Sequence, residues 1–169
     1  MSNMILMVIA PNLFRDEEYL EPRNVFTAAG FSVVTAASRL GTAKGKLGAT
    51  VNVDHLLKNV KLENYNAVIF VGGPGSYDYF TDKTALDLAR EAIKQEKVLG
   101  GICAGAAILA KAGVLKGKQA TCFSGVADIL KAEGAYYTGK NVEQDGKIIT
   151  ADGPQSARKF GETIVKLLK

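Results

Sequence analysis

The run Met4-Ile5-Leu6-Met7-Val8-Ile9-Ala10 holds no polar residue. A strand with one face in water alternates apolar and polar side chains. A strand that is apolar throughout is buried on both faces, as in a parallel sheet covered by helices. Ala67-Val68-Ile69-Phe70-Val71 repeats the pattern, and Lys97-Val98-Leu99-Gly100 reads as a further short buried strand. This restricts the chain to α/β architectures more than any other feature does.

The segments between these runs fit that frame. Residues 17–29 carry Leu20, Val25, Phe26 and Ala29 at helical spacing, with Gly30 as a stop and Phe31-Ser32-Val33-Val34-Thr35-Ala36 as the next strand. Residues 38–53 hold Gly41, Gly45 and Gly48 with little helical pattern, and Thr50-Val51-Asn52-Val53 suits a small hairpin. Asp54 is placed to cap a short helix through Leu57. Residues 84–97 predict an amphipathic helix with Leu86, Leu88, Ala89 and Ile93 on its apolar face. Residues 106–112 predict a second helix, 119–123 a strand, and 127–133 a short helix. Asp145-Gly146 marks a hairpin between 141–144 and 147–150, and residues 156–169 predict a closing helix. Alternation of this kind predicts an α/β sandwich around a mostly parallel sheet. No linker, repeat or low-complexity segment divides the 169 residues, so one domain over 1–169 is expected.

Composition excludes several function classes. Hydrophobic residues make up 47% and charged residues 22%, the balance of a globular protein. No apolar run approaches the roughly 18 residues of a membrane span. The N-terminus lacks the basic region of a signal peptide, so the cytoplasm is the expected compartment. The net charge of +4 is spread along the chain. Lys44, Lys46, Lys111, Lys116 and Lys118 are scattered without aromatic interleaving, which argues for a solvated surface and against nucleic acid as a partner. Two cysteines, Cys103 and Cys122, and one histidine, His55, are too few for a zinc cluster. In a reducing compartment the two cysteines are not expected to pair.

Gly101-Ile102-Cys103-Ala104-Gly105 carries the chemistry. It joins a predicted strand to a predicted helix, and it flanks a cysteine with glycine at both second neighbours. That is the thiol form of a nucleophile elbow. The turn holds its central residue at positive φ, and the glycines remove β-carbons that would collide. The thiol then stands beside helix N-terminal amides, which lower a thiol's pKa and bind an oxyanion. A cysteine between small residues also fits plain tight packing. Gly72-Gly73-Pro74-Gly75 ends another strand. It fits a tight turn or a source of backbone N–H groups beside Cys103, and it lacks the Lys and Ser/Thr of a phosphate loop. A nucleophilic thiol needs a base. His55 falls far from the strand ends, whereas Phe14-Arg15-Asp16-Glu17-Glu18 follows the first strand at the same end of the sheet as Cys103. Its acids fit either that role or simple support of a helix dipole.

These segments together resemble the DJ-1/PfpI superfamily over essentially the whole chain. Phe14-Arg15-Asp16-Glu17-Glu18 resembles the family's Phe-Glu-Asp-x-Glu segment. Ala67-Val68-Ile69-Phe70-Val71-Gly72-Gly73 resembles the strand leading to its oxyanion glycine. Gly101-Ile102-Cys103-Ala104-Gly105 resembles its elbow, and residues 145–154 resemble its closing hairpin and Gly-Pro turn. The resemblance implies a three-layer α/β/α sandwich with a flavodoxin-like sheet. It implies Cys103 as nucleophile or redox centre, Glu18 as the carboxyl group on its sulfur, and the amides of Gly73 and Ala104 as an oxyanion hole. It implies no cofactor or metal, and a homodimer or larger homo-oligomer.

The family's protease-like members carry histidine directly after the elbow cysteine, where this chain has Ala104. Other members place one after the next strand, and Thr121-Cys122-Phe123-Ser124 has none. Intracellular cysteine peptidase activity is therefore disfavoured, and only His55 is available to cross an oligomer interface. The leading expectation is cofactor-independent cysteine chemistry on small reactive carbonyls, of the glyoxalase or deglycase kind, with Glu18 raised in pKa by burial. The alternative from another class is a redox-sensing stress or chaperone protein with an oxidisable Cys103.

Overall fold

The computed structural model describes residues 3–169. In chain order it contains β1 (Met4–Val8), β2 (Asn12–Phe14), α1 (Asp16–Ala28), β3 (Ser32–Ala37), β4 (Gly41–Gly45), β5 (Thr50–Val53) and β6 (His55–Leu56). Then come β7 (Ala67–Phe70), a 3-10 segment (Pro74–Thr81), α2 (Lys83–Lys94), β8 (Val98–Ile102), α3 (Gly105–Lys111), β9 (Gln119–Ala120) and α4 (Ala127–Ala132). The chain ends with β10 (Tyr136–Tyr137), β11 (Val142–Asp145), β12 (Ile148–Ala151) and α5 (Ala157–Leu168).

The central sheet runs β11-β12-β8-β7-β1-β3-β6. All pairings are parallel except the β11–β12 edge hairpin, whose turn Gly146 adopts at φ +62°. The apolar runs occupy its middle. Because strand side chains alternate, Leu6 and Val8 join Val68, Phe70 and Leu99 in a core against α2, α3 and α4. Ile5, Met7 and Ile9 join Ile69 and Ile102 in a second core with Phe26 of α1 and Phe160 and Ile164 of α5. Two cores on one sheet make three layers, the flavodoxin-like sandwich.

Three local expectations are corrected. Residues 54–56 do not form the expected helix start; Leu57 instead opens a single 3-10 turn, Leu57–Asn59. The Asp54 carboxylate accepts the Thr35 amide at 2.8 Å, which draws His55 and Leu56 into β6 beside β3. The strand expected at 119–123 shortens to β9, which leaves the main sheet and pairs with β10. In α1 the buried residues are Asp16, Glu18, Tyr19, Pro22 and Phe26, with Leu20 39% exposed. The helix turns two acids inward, a placement that hydrophobic spacing cannot reveal.

The chain passes from β1 to β3 on one side and then to β7 and β8 on the other. The sheet's connections thus reverse direction between β1 and β7, and the crevice beyond such a switch point is where open α/β sheets bind ligands.

Candidate active site

Cys103 follows β8 directly and has φ +61°. Its amide donates to the Ala151 carbonyl at 2.9 Å, which ties the bend to β12. A β-carbon on Gly105 would lie 2.2 Å from the Phe70 carbonyl oxygen, and one on Gly101 would lie 2.9 Å from Ala106 Cα. These contacts let α3 start directly under the sheet end. Every residue of α3 except Lys111 is buried, so the turn cannot relax into solvent.

The segment after β7 closes on the same point. Gly73 has φ +105°, and a β-carbon there would meet the Arg15 amide nitrogen at 2.4 Å. A β-carbon on Gly72 would meet Glu18 Oε1 at 2.6 Å and Cys103 Cβ at 2.8 Å. Only glycine allows this approach. The Arg15 amide donates to the Gly72 carbonyl at 3.0 Å, and the Gly72 amide donates to Glu18 Oε1 at 3.0 Å. The backbone amides of Ala104 and Gly73 are directed at the Cys103 sulfur.

Glu18 is fully buried. Its Oε2 is buried with no hydrogen-bond partner, and the Cys103 side chain is the neighbour that most favours its charged form. A carboxylate in a helix's first turn gains about 0.3–1 kcal/mol from the dipole. Desolvation acts oppositely and wins: burial pushes Glu18 up to about 8, against the lowering contributions of Cys103, the Gly72 amide and Arg15. Burial also pushes the Cys103 thiol up, and the adjacent Glu18 adds to the rise. The amides of Ala104 and Gly73 pull it down without prevailing. A low thiol pKa, expected from the helix N-terminus, is thus corrected: α3 is short, and the sulfur is largely out of water.

The structure brings Cys103, Glu18, Gly73 and Ala104 together and leaves His55 apart. His55 lies on β6, four strands from β8 and on the order of 19 Å away at the usual strand spacing. Cys122 is buried and free. Among the described residues no three His, Cys, Asp or Glu side chains form a metal-holding group.

A cleft of about 420 Å³ opens over the sulfur. Its walls include residues that sequence reasoning missed: Arg15, Lys46, Tyr77 and Phe123. Each comes from a loop or 3-10 segment that follows a strand, where no strand or α-helical periodicity marks the inward side. Arg15 forms two bonds to Glu17, at 2.8 and 3.1 Å. Tyr77 stacks on Phe80 with ring centroids 4.8 Å apart.

The chain as a whole has known relatives. The DJ-1/PfpI family model matches residues 3–167. An uncharacterized protein of Methanocaldococcus jannaschii is 40% identical over 98% of this chain and 82% of its own. A deglycase of Pyrococcus horikoshii is 30% identical over 98% of this chain and 100% of its own. A glutathione-independent glyoxalase of Caenorhabditis elegans is 29% identical over 97% and 88%. The crystal structure of a ThiJ/PfpI domain protein from Brachyspira murdochii superposes with a TM-score of 0.98 at 35% identity, covering 99% of this chain and 96% of that one.

Proposed function

The chain belongs to the DJ-1/PfpI family, and from that premise we propose that it performs cofactor-independent cysteine chemistry on small reactive carbonyls, of the glyoxalase or deglycase kind. The observation that carries this reading is the buried Glu18 carboxyl beside the Cys103 sulfur, with two backbone amides aimed at the same sulfur.

The proposed reaction with a 2-oxoaldehyde starts as the Cys103 sulfur bonds to the aldehyde carbon. The thiol proton passes to the Glu18 carboxylate, and the amides of Gly73 and Ala104 hold the resulting oxyanion. Each such donor contributes roughly 2.7–4 kcal/mol in other oxyanion holes. Glu18 protonates the oxyanion to give a hemithioacetal. It then takes the proton from that carbon while the neighbouring carbonyl oxygen is protonated, giving an enediol. It returns a proton to the neighbouring carbon as the first carbon's hydroxyl loses its own. The first carbon is thereby oxidised to a thioester and the second reduced to an alcohol, so no external redox partner is needed. Water cleaves the thioester, releasing a 2-hydroxy acid and the thiol. A group titrating near 8 can hold and release a proton in the working range.

Steady-state kinetics on methylglyoxal and glyoxal test this. Cys103→Ala abolishes turnover, and Glu18→Gln lowers kcat by about 10²–10⁴, the usual worth of a positioned acid–base group. Wild-type kcat/KM rises as pH increases through about 8, because Glu18 acts first as a base. Turnover that persists in Cys103→Ala overturns the mechanism.

A second reading is favoured by the same pair. A protonated Glu18 can donate to an oxygen on an oxidised Cys103 and hold it as sulfinate. Mild peroxide followed by mass spectrometry then adds two oxygens to Cys103 and none to Cys122, which is only 1% exposed. Equal oxidation of both removes this reading. Two free thiols suit the reducing cytoplasm. Among the described residues no helix is long and apolar enough to cross a membrane. A homodimer or larger homo-oligomer completes the proposal.

A further inference from the structure

The cleft over Cys103 is lined by two chemically different sets of side chains. Tyr77 and Phe123, each 43% exposed, are aromatic. Arg15 and Lys46 are cationic. The only carboxyl among the lining residues is Glu18, which burial keeps neutral at pH 7. Arg15 spends two of its five donors on Glu17 and keeps three. No carboxylate of the described residues lies within ion-pair distance of Lys46, so Lys46 supplies the uncompensated charge.

Lys46 is not a loosely placed surface lysine. It sits on the tip joining β4 to β5, and Asp16, 5% exposed, anchors that tip. The two Asp16 oxygens accept the amides of Leu47 and Ala49, both at 2.8 Å. The Lys46 amide donates to the Phe14 carbonyl at 2.9 Å, and the Gly45 amide donates to Ala49 at 2.8 Å. A β-carbon on Gly45 would lie 2.5 Å from the Asp16 carboxylate, so the tip is shaped around this buried acid. Asp16 is a positioning residue: it fixes the backbone that carries the cation, two residues ahead of Glu18.

We propose that Lys46 and Arg15 form a carboxylate-recognition subsite, and that the compounds this cleft takes are 2-oxoaldehydes bearing a carboxylate, with the intervening carbon chain laid against Tyr77 and Phe123. The proposal rests on the carbonyl reading above and names its substrate class. The reaction stays balanced as already written, because the distant carboxylate takes no part in the bond changes. The product is a 2-hydroxy diacid.

Two measurements test it. In the first, the purified protein turns over 4,5-dioxopentanoate and methylglyoxal. The expected result is a higher kcat/KM for the anionic compound, a preference that falls about threefold to fivefold in Lys46→Gln, the size of one exposed charge–charge contact. In the second, Cys103 is alkylated by iodoacetate and by iodoacetamide, which differ in charge and need no turnover. The iodoacetate-to-iodoacetamide rate ratio is expected to fall by a similar factor in Lys46→Gln and in Arg15→Gln, and to fall in wild type as salt is raised. A ratio unmoved by both substitutions overturns the subsite. A protein that turns over neither carbonyl yet keeps the ratio and its loss refutes the carbonyl reading and leaves anion recognition standing.

Discussion

At Glu18 two physical effects of opposite sign compete, and folding stability records the outcome. The carboxyl is held near 8 in the fold, above its ordinary 4.5. Between those values the folded chain binds a proton that the unfolded chain has released, so stability falls as pH rises through this window and levels off above it. Glu18→Gln removes the titration. We expect the variant to gain on the wild type from pH 4.5 to 8, by at most about 5 kcal/mol, the ceiling set by the distance between those two values. Urea denaturation at pH 5 and pH 9 measures it, and an equal difference at the two pH values contradicts it. Cys103 was legible in the sequence because its glycines sit at fixed offsets. The inward turn of Glu18 was legible only through resemblance to related segments, because an acid in a helix's first turn satisfies the dipole just as well in solvent. Lys46 was read as one scattered surface charge. Nothing in its neighbours signals that a buried Asp16 holds it in place.

Among the elements, α3 is the most constrained. Gly105, Ala106, Ala107, Ile108, Leu109 and Ala110 are all buried, and Gly105 presses its backbone against β7. Gly105→Ala places a methyl group 2.2 Å from a backbone carbonyl that cannot swing away. The expected cost is about 1–3 kcal/mol, with Tm falling by roughly 2–4 °C for each. Calorimetry reads this directly, and an unchanged Tm would show that the sheet end yields more than its packing implies. The apolar strands were legible because double burial leaves no polar residue to confuse the reading. The short edge elements were not. Residues 54–57 and 119–123 carry little pattern of their own, and single hydrogen bonds to neighbours, such as Asp54 to Thr35, decide their form.

For the molecule as a whole, the exposed apolar residues matter more than the core. Leu13, Leu20 and Leu47 are 43%, 39% and 62% exposed. They lie on β2, α1 and the tip between β4 and β5, three segments linked by the Phe14–Gly45 pairing and the Asp16 clamp. An apolar surface of this sort is expected to be covered by a second copy of the chain. Analytical ultracentrifugation should give a dimer or a larger assembly at micromolar concentration, and Leu20→Asp should shift it toward monomer. A monomeric wild type would leave these leucines unexplained.

The Cys103 sulfur stands in the turn just ahead of the most enclosed helix, while Lys46, Tyr77 and Phe123 arrive on surface excursions from three other parts of the chain. Selectivity and reactivity are therefore mounted on separate pieces. An engineer can exchange the fittings around the mouth to retarget the cleft and leave the chemical engine below untouched.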